Sequence, residues 1–72
     1  MDRGEYIAYT KARALDYVDM GDNSLALSSL ISDLRHNPET ENHAAMLLGT
    51  MLMVNGHLST DTQMRDFING IQ

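Results

Sequence analysis

Cysteine is absent from this chain of 72 residues, and proline occurs once, at Pro38. Without cysteine there is no disulfide and no thiolate metal site, so neither kind of staple can reinforce a small core. Basic residues are scarce. Five stand against ten acidic ones, a net charge of −5, which repels nucleic-acid phosphate and argues against that class of partner. The carboxylates are spread along the whole chain, which reads as a solvated surface and not as a DNA mimic. Long hydrophobic runs are missing too. The longest, Ala44 to Val54, is interrupted by Gly49 and Thr50 and falls far short of the roughly 20 residues that cross a bilayer. Met1 to Glu5 lacks the basic-then-apolar order of a secretory signal, so a cytoplasmic location is expected. Nor do β-branched residues alternate with polar ones over the span a half-buried strand needs.

What remains is helical. About Glu5 to Met20 the chain has no proline and then meets Gly21, the residue best suited to a left-handed cap. Asp22, Asn23 and Ser24 can each accept a bond from the free amides of a second helix, about Ser24 to Arg35, whose Leu27, Leu30, Ile31 and Leu34 share one face. Asn37-Pro38 ends it, because a proline ring disfavours helical geometry in the residue before it. The pattern predicts a third helix over about Glu39 to Val54, with Glu39 and Glu41 at its positive end. Asn55-Gly56 stops that helix, and Thr60 with Gln63 has capping-box spacing for a fourth, running to about Asn69. The expectation is one all-α domain over residues 1–72, with four short helices in a compact helical-hairpin arrangement.

A chain of 8.0 kDa should expose roughly 4,500 Å² when folded against about 11,600 Å² unfolded, which makes for a marginal core. The third segment is apolar nearly all round, and two or three short neighbours can barely cover it. A second subunit would complete the cover, so a homodimer is expected, with Met51, Leu52, Met53 and Phe67 on the self-association face.

Tyr17, Gly21-Asp22, Ala26, Leu30 and Pro38 have the spacing of half a tetratricopeptide repeat, which this stretch resembles. Leu52 and Gly56 echo Tyr17 and Gly21 35 residues later. Thr10, Arg13 and Ala14 depart from that family's pattern, as do Asp61 and Arg65, so its peptide-binding residues are not carried over. The resemblance implies stacked helical hairpins that present a surface to another protein. The tract His36 to Ile68 also resembles a group of small bacteriophage proteins, through Asn37-Pro38-Glu39-Thr40, His43-Ala44, Leu48-Gly49, Leu58-Ser59-Thr60 and Met64-Arg65-Asp66-Phe67-Ile68. That likeness implies a phage-type accessory protein, acting in the host cytoplasm.

No catalytic or metal constellation emerges. His36, His43 and His57 lie at three different breaks, without the i, i+4 pairing of a helical zinc site, although His43 could pair with Glu39. Asp33 and His36 also stand at helical spacing, but no third partner is evident, so neither an enzyme nor a cofactor is expected. Gly49 inside the third helix costs about 1 kcal/mol relative to alanine, which a close crossing or an interface would justify. The first helix holds the most suggestive surface. Tyr6, Tyr9, Arg13, Tyr17 and Met20 recur every three or four residues, and these side-chain types are enriched at interface centres. They are the expected contact face for a protein partner, although tyrosines packed at a core edge would give the same pattern. The alternative is a helical oligomer that sequesters a nucleotide-like ligand, with Tyr6 or Tyr9 stacked on the base and Lys11 or Arg13 on phosphate.

Overall fold

The computed structural model describes Met1 to Gln72 and contains four helices: α1, Arg3–Asp19; α2, Asn23–His36; α3, Ala44–Val54; and α4, Asp61–Asn69. Each begins at a side chain that takes a free backbone amide. Asp2 accepts from Glu5 N at 2.8 Å, Asp22 from Leu25 N at 2.9 Å and His43 Nδ1 from Ala45 N at 3.0 Å. The bond from Glu5 holds the Asp2 carboxyl below the usual range. At α4 the expected capping box is formed, with Gln63 N donating to Thr60 Oγ1 at 3.1 Å and Thr60 N to Gln63 Oε1 at 3.2 Å.

Two helices end in the same way. After α1, Gly21 at φ +81° lets Asp22 N reach Tyr17 O at 3.0 Å while its own amide donates to Val18 O at 2.9 Å. After α3, Gly56 at φ +78° does the same for His57 N and Leu52 O, at 2.8 Å, with Gly56 N on Met53 O at 3.1 Å. Both are six-to-one closures on a left-handed glycine. The 35-residue echo is therefore a repeated helix cap.

The third helix starts five residues later than its expected start at Glu39. Asn37 Oδ1 accepts from Glu39 N at 2.9 Å, and Thr40 turns inward, donating from Oγ1 to Leu34 O at 2.7 Å. An Asx turn beside proline and a hydroxyl that satisfies an unpaired carbonyl of α2 together outcompete helical geometry over residues 37–43. Glu39 and Glu41 thus sit exposed on the connector, away from the end of α3. Glu39 is not paired with His43, whose Nε2 lies 2.8 Å from Gln72 O.

The principal seam joins α1 to α2. Ala14 and Ala26 are fully buried on the two facing helices, where small side chains permit close approach, and Val18, Leu30 and Leu34 fill the space around them. α4 then returns to α1, burying Met64 and Ile68 completely. Lys11 Nζ fastens this junction by donating to Asn69 O at 3.1 Å and Ile71 O at 2.9 Å, a cation on the carbonyl end of α4. α3 packs on α2 less extensively. It comes close only because Gly49 has no side chain: a Cβ there would lie 2.9 Å from Leu27 Cδ1 and 3.0 Å from Phe67 Cζ. The folded chain exposes 4335 Å².

Three substitutions test this account by chemical denaturation. Gly49→Ala should lower stability, because overpacking of about 1–3 kcal/mol exceeds the gain of about 1 kcal/mol in helix propensity. A stabilised variant would mean that Leu27 and Phe67 yield freely. One exchange should act with opposite signs at two buried threonines. Thr40→Val strips Leu34 O of its partner and should cost about 1–3 kcal/mol. Thr10 Oγ1 is buried with no partner, so Thr10→Val should stabilise by about 1 kcal/mol.

Candidate interaction surfaces

The α1 stripe divides into two parts. At its N-terminal end Tyr6 is half-buried, and its hydroxyl donates to Asp33 O on α2 at 2.6 Å. Burial, and then the nearby Asp33 carboxylate, push the Tyr6 phenol above its ordinary value of 10.0. Tyr9 lies beside it, with ring centroids 6.0 Å apart. Arg13 donates to the Tyr9 hydroxyl at 2.9 Å, holds its guanidinium 5.5 Å from that ring's centroid, and pairs with Asp33 Oδ2 at 3.3 Å. The bond to Tyr9, and then the Asp33 charge, stabilise the protonated guanidinium. These residues tie α1 to α2 as much as they face outward.

The C-terminal end of the stripe is freer. Tyr17 leans on the core and Met20 is 68% exposed. Together with Arg13 and Asp16 they line a shallow hollow of about 340 Å³. Asp16 had no place in the expected stripe, although its spacing from Arg13 and Met20 was a readable helical signal. Asp33 stands at helical spacing from His36, but its carboxylate faces Arg13, and His36 Nδ1 bonds Ser32 O at 2.6 Å. The cations that a nucleotide would need are both engaged, Lys11 on the end of α4 and Arg13 on Asp33.

The second surface lies on α3. Leu47 (68% exposed), Leu48 (50%), Met51 (53%) and Val54 (79%) form one apolar stripe, opposite the face that buries Ala45 and Gly49. Of the residues expected to mediate self-association, Met51 belongs to this stripe, while Leu52, Met53 and Phe67 are half-buried against the core. The difference is one of helical phase. The contact with Leu27 and Phe67 is set by Gly49 and turns residues 52 and 53 inward, something a segment apolar nearly all round cannot reveal. Beside the stripe, between the start of α3 and the end of α4, a mainly apolar hollow of about 360 Å³ is lined by Ala44, Leu48, Phe67, Ile71 and the rim residues His43 and Asp66. Between Glu41 and Asp61 the chain carries no Asp, Glu, Lys or Arg, so the α3 stripe itself is uncharged, while the hollow beside it is rimmed by Asp66.

No helix is long and apolar enough to cross a membrane, and no group of three or more acidic or histidine side chains converges as a metal site would require. No family model, curated protein or solved structure matches this chain.

The raised phenol pKa of Tyr6 has a stability consequence whose sign follows from linkage. The folded state favours the neutral hydroxyl, so this stabilisation is complete below about pH 10 and is lost as pH rises through the folded value. Tyr6→Phe should cost about 1 kcal/mol at neutral pH through the lost bond to Asp33, and should fall off less steeply above about pH 10. Urea titrations at both pH values check this. Equal losses for the two proteins would exclude Tyr6 as the source.

Proposed function

We propose that this chain is a non-enzymatic protein-interaction module, a small phage-type accessory protein that self-associates and binds a host or viral macromolecule to modulate it. The observation that carries this reading is the α3 stripe, four large apolar side chains left half or more exposed on a chain of 72 residues. Contiguous apolar surface of this kind marks association sites on soluble proteins. Covering eight such side chains in a homodimer recovers on the order of 10 kcal/mol, against an association cost of about 4–15 kcal/mol. At the low end of that cost the balance, about 6 kcal/mol, corresponds to a dimer of tens of micromolar affinity.

The α1 hollow, with Tyr17, Met20, Asp16 and Arg13, is the candidate face for the other macromolecule. It combines an aromatic ring, a flexible thioether and both signs of charge on one rigid helix. The resemblance of residues 36–68 to small phage proteins supports the accessory role. The nucleotide-sequestering alternative gains nothing from Lys11 and Arg13, since phosphate would first have to displace their carbonyl and carboxylate partners.

Sedimentation at micromolar to millimolar concentration tests the first half of the reading. The native chain should show a concentration-dependent rise in mass, and Leu47→Glu, at an exposed position, should stay monomeric with unchanged helicity. A native chain that remains a monomer throughout would refute self-association. For the second half, Asp16→Lys with Met20→Glu alters the hollow without touching the Arg13–Asp33 pair. It should lose any stoichiometric partner that the native chain retains from phage-infected cells. Retention of that partner by the double variant would exclude this face.

A further inference from the structure

We infer that Asn55 is a site of spontaneous covalent modification, where the Asn55-Gly56 step converts to a succinimide and then to aspartyl or isoaspartyl product when the α3 cap opens. Two asparagines, Asn55 and Asn69, precede a glycine. Glycine has no side chain to shield its amide from the asparagine beside it, so these steps join a labile side chain to the least hindered nucleophile. In the reaction the Gly56 backbone nitrogen gives up its proton and bonds to Asn55 Cγ. The Asn55 side-chain nitrogen leaves as ammonia, and a succinimide ring closes between the two residues. Water then opens the ring at either carbonyl, leaving aspartate in an ordinary backbone or in one that runs through the side chain. Nothing is oxidised or reduced.

The fold holds both steps closed. Gly56 N donates to Met53 O at 3.1 Å and Gly70 N to Asp66 O at 3.1 Å, so each attacking amide is committed to a helix carbonyl. Attack waits for that turn to open. The two turns differ in what else secures them. At the end of α4, Lys11 Nζ from α1 clasps Asn69 O and Ile71 O, and the flanking Ile68 and Ile71 are buried. At the end of α3 no side chain from another helix bonds the cap, and Val54, Asn55, Gly56 and His57 are all exposed. Its one side-chain tie is local, from Ser59 Oγ to Gly56 O at 2.6 Å, and the chain is next buried at Leu58. Segments with few buried contacts open at lower free energy than the rest of a fold. Asn55 is therefore the step that opens without global unfolding.

Conversion undoes the cap that guarded it. It sets a new carboxylate at the carbonyl end of α3, where the helix dipole disfavours an anion. The lengthened isoaspartyl backbone no longer brings His57 N onto Leu52 O as the left-handed glycine does. α3 then frays from the end that carries Met51 and Val54 of the apolar stripe. This chemistry does not depend on what covers the stripe.

Trypsin cuts after Arg35 and Arg65, which puts Asn55 and Asn69 in separate fragments for mass spectrometry. The native chain is to be aged at neutral pH and physiological temperature, with and without guanidinium chloride. In denaturant the two steps, being the same dipeptide, should convert at similar rates. In the folded chain both should slow, and Asn55 should convert about tenfold faster than Asn69, the signature of local opening at one cap. Lys11→Met removes the clasp and should raise the Asn69 rate toward that of Asn55 while leaving Asn55 unchanged. Equal rates in the folded chain, a faster Asn69, or an Asn55 that stays intact while the denatured chain converts would each overturn the assignment. So would a Lys11→Met chain in which Asn69 is unmoved, or in which both sites accelerate together.

Discussion

The structure depends on how little interior a short chain can enclose. One helix-to-helix seam, α1 against α2, takes the fully buried alanines and most of the large aliphatic side chains. α4 completes that core with Met64 and Ile68, and Lys11 holds its carbonyl end in place. Little interior is then left for α3, which is the most apolar helix. It reaches the core along one edge, at Ala45 and Gly49, and leaves its opposite face uncovered. A helix apolar nearly all round is ordinarily buried on every side, and here one side is not.

Gly49 shows how this constraint works at the level of single atoms. A glycine within a helix is unfavourable in isolation. Here its missing side chain admits Leu27 and Phe67, and the contact sets the rotation of α3 about its own axis. That rotation decides that Met51 faces outward while Leu52 and Met53 lean inward. The apolar face that α3 leaves in water is therefore a consequence of core packing.

The α1 face obeys a different economy. Tyr6, Tyr9 and Arg13 have the composition of an interface, yet each also bonds within the α1–α2 pair, through Asp33 or through one another. A residue with both duties is a poor place to test binding, because removing it disturbs the fold. Met20 and Asp16, with little structural duty, separate the two roles.

Helix existence, type and most ends were legible in the chain itself, because caps and periodicity are local. Gly21, Gly56, Pro38 and the Thr60–Gln63 pair act within one turn of their own positions. The start of α3 was not legible, since Thr40 abandons a plausible helix for a carbonyl six residues earlier, on the neighbouring α2. The partner of Asp33, the engagement of Lys11 with the end of α4 and the phase of α3 were equally hidden. Each depends on residues distant in sequence that meet only when the helices pack. Local chemistry thus determined which segments coil and where they stop, while the close approach of whole helices decided which of their faces remain in water.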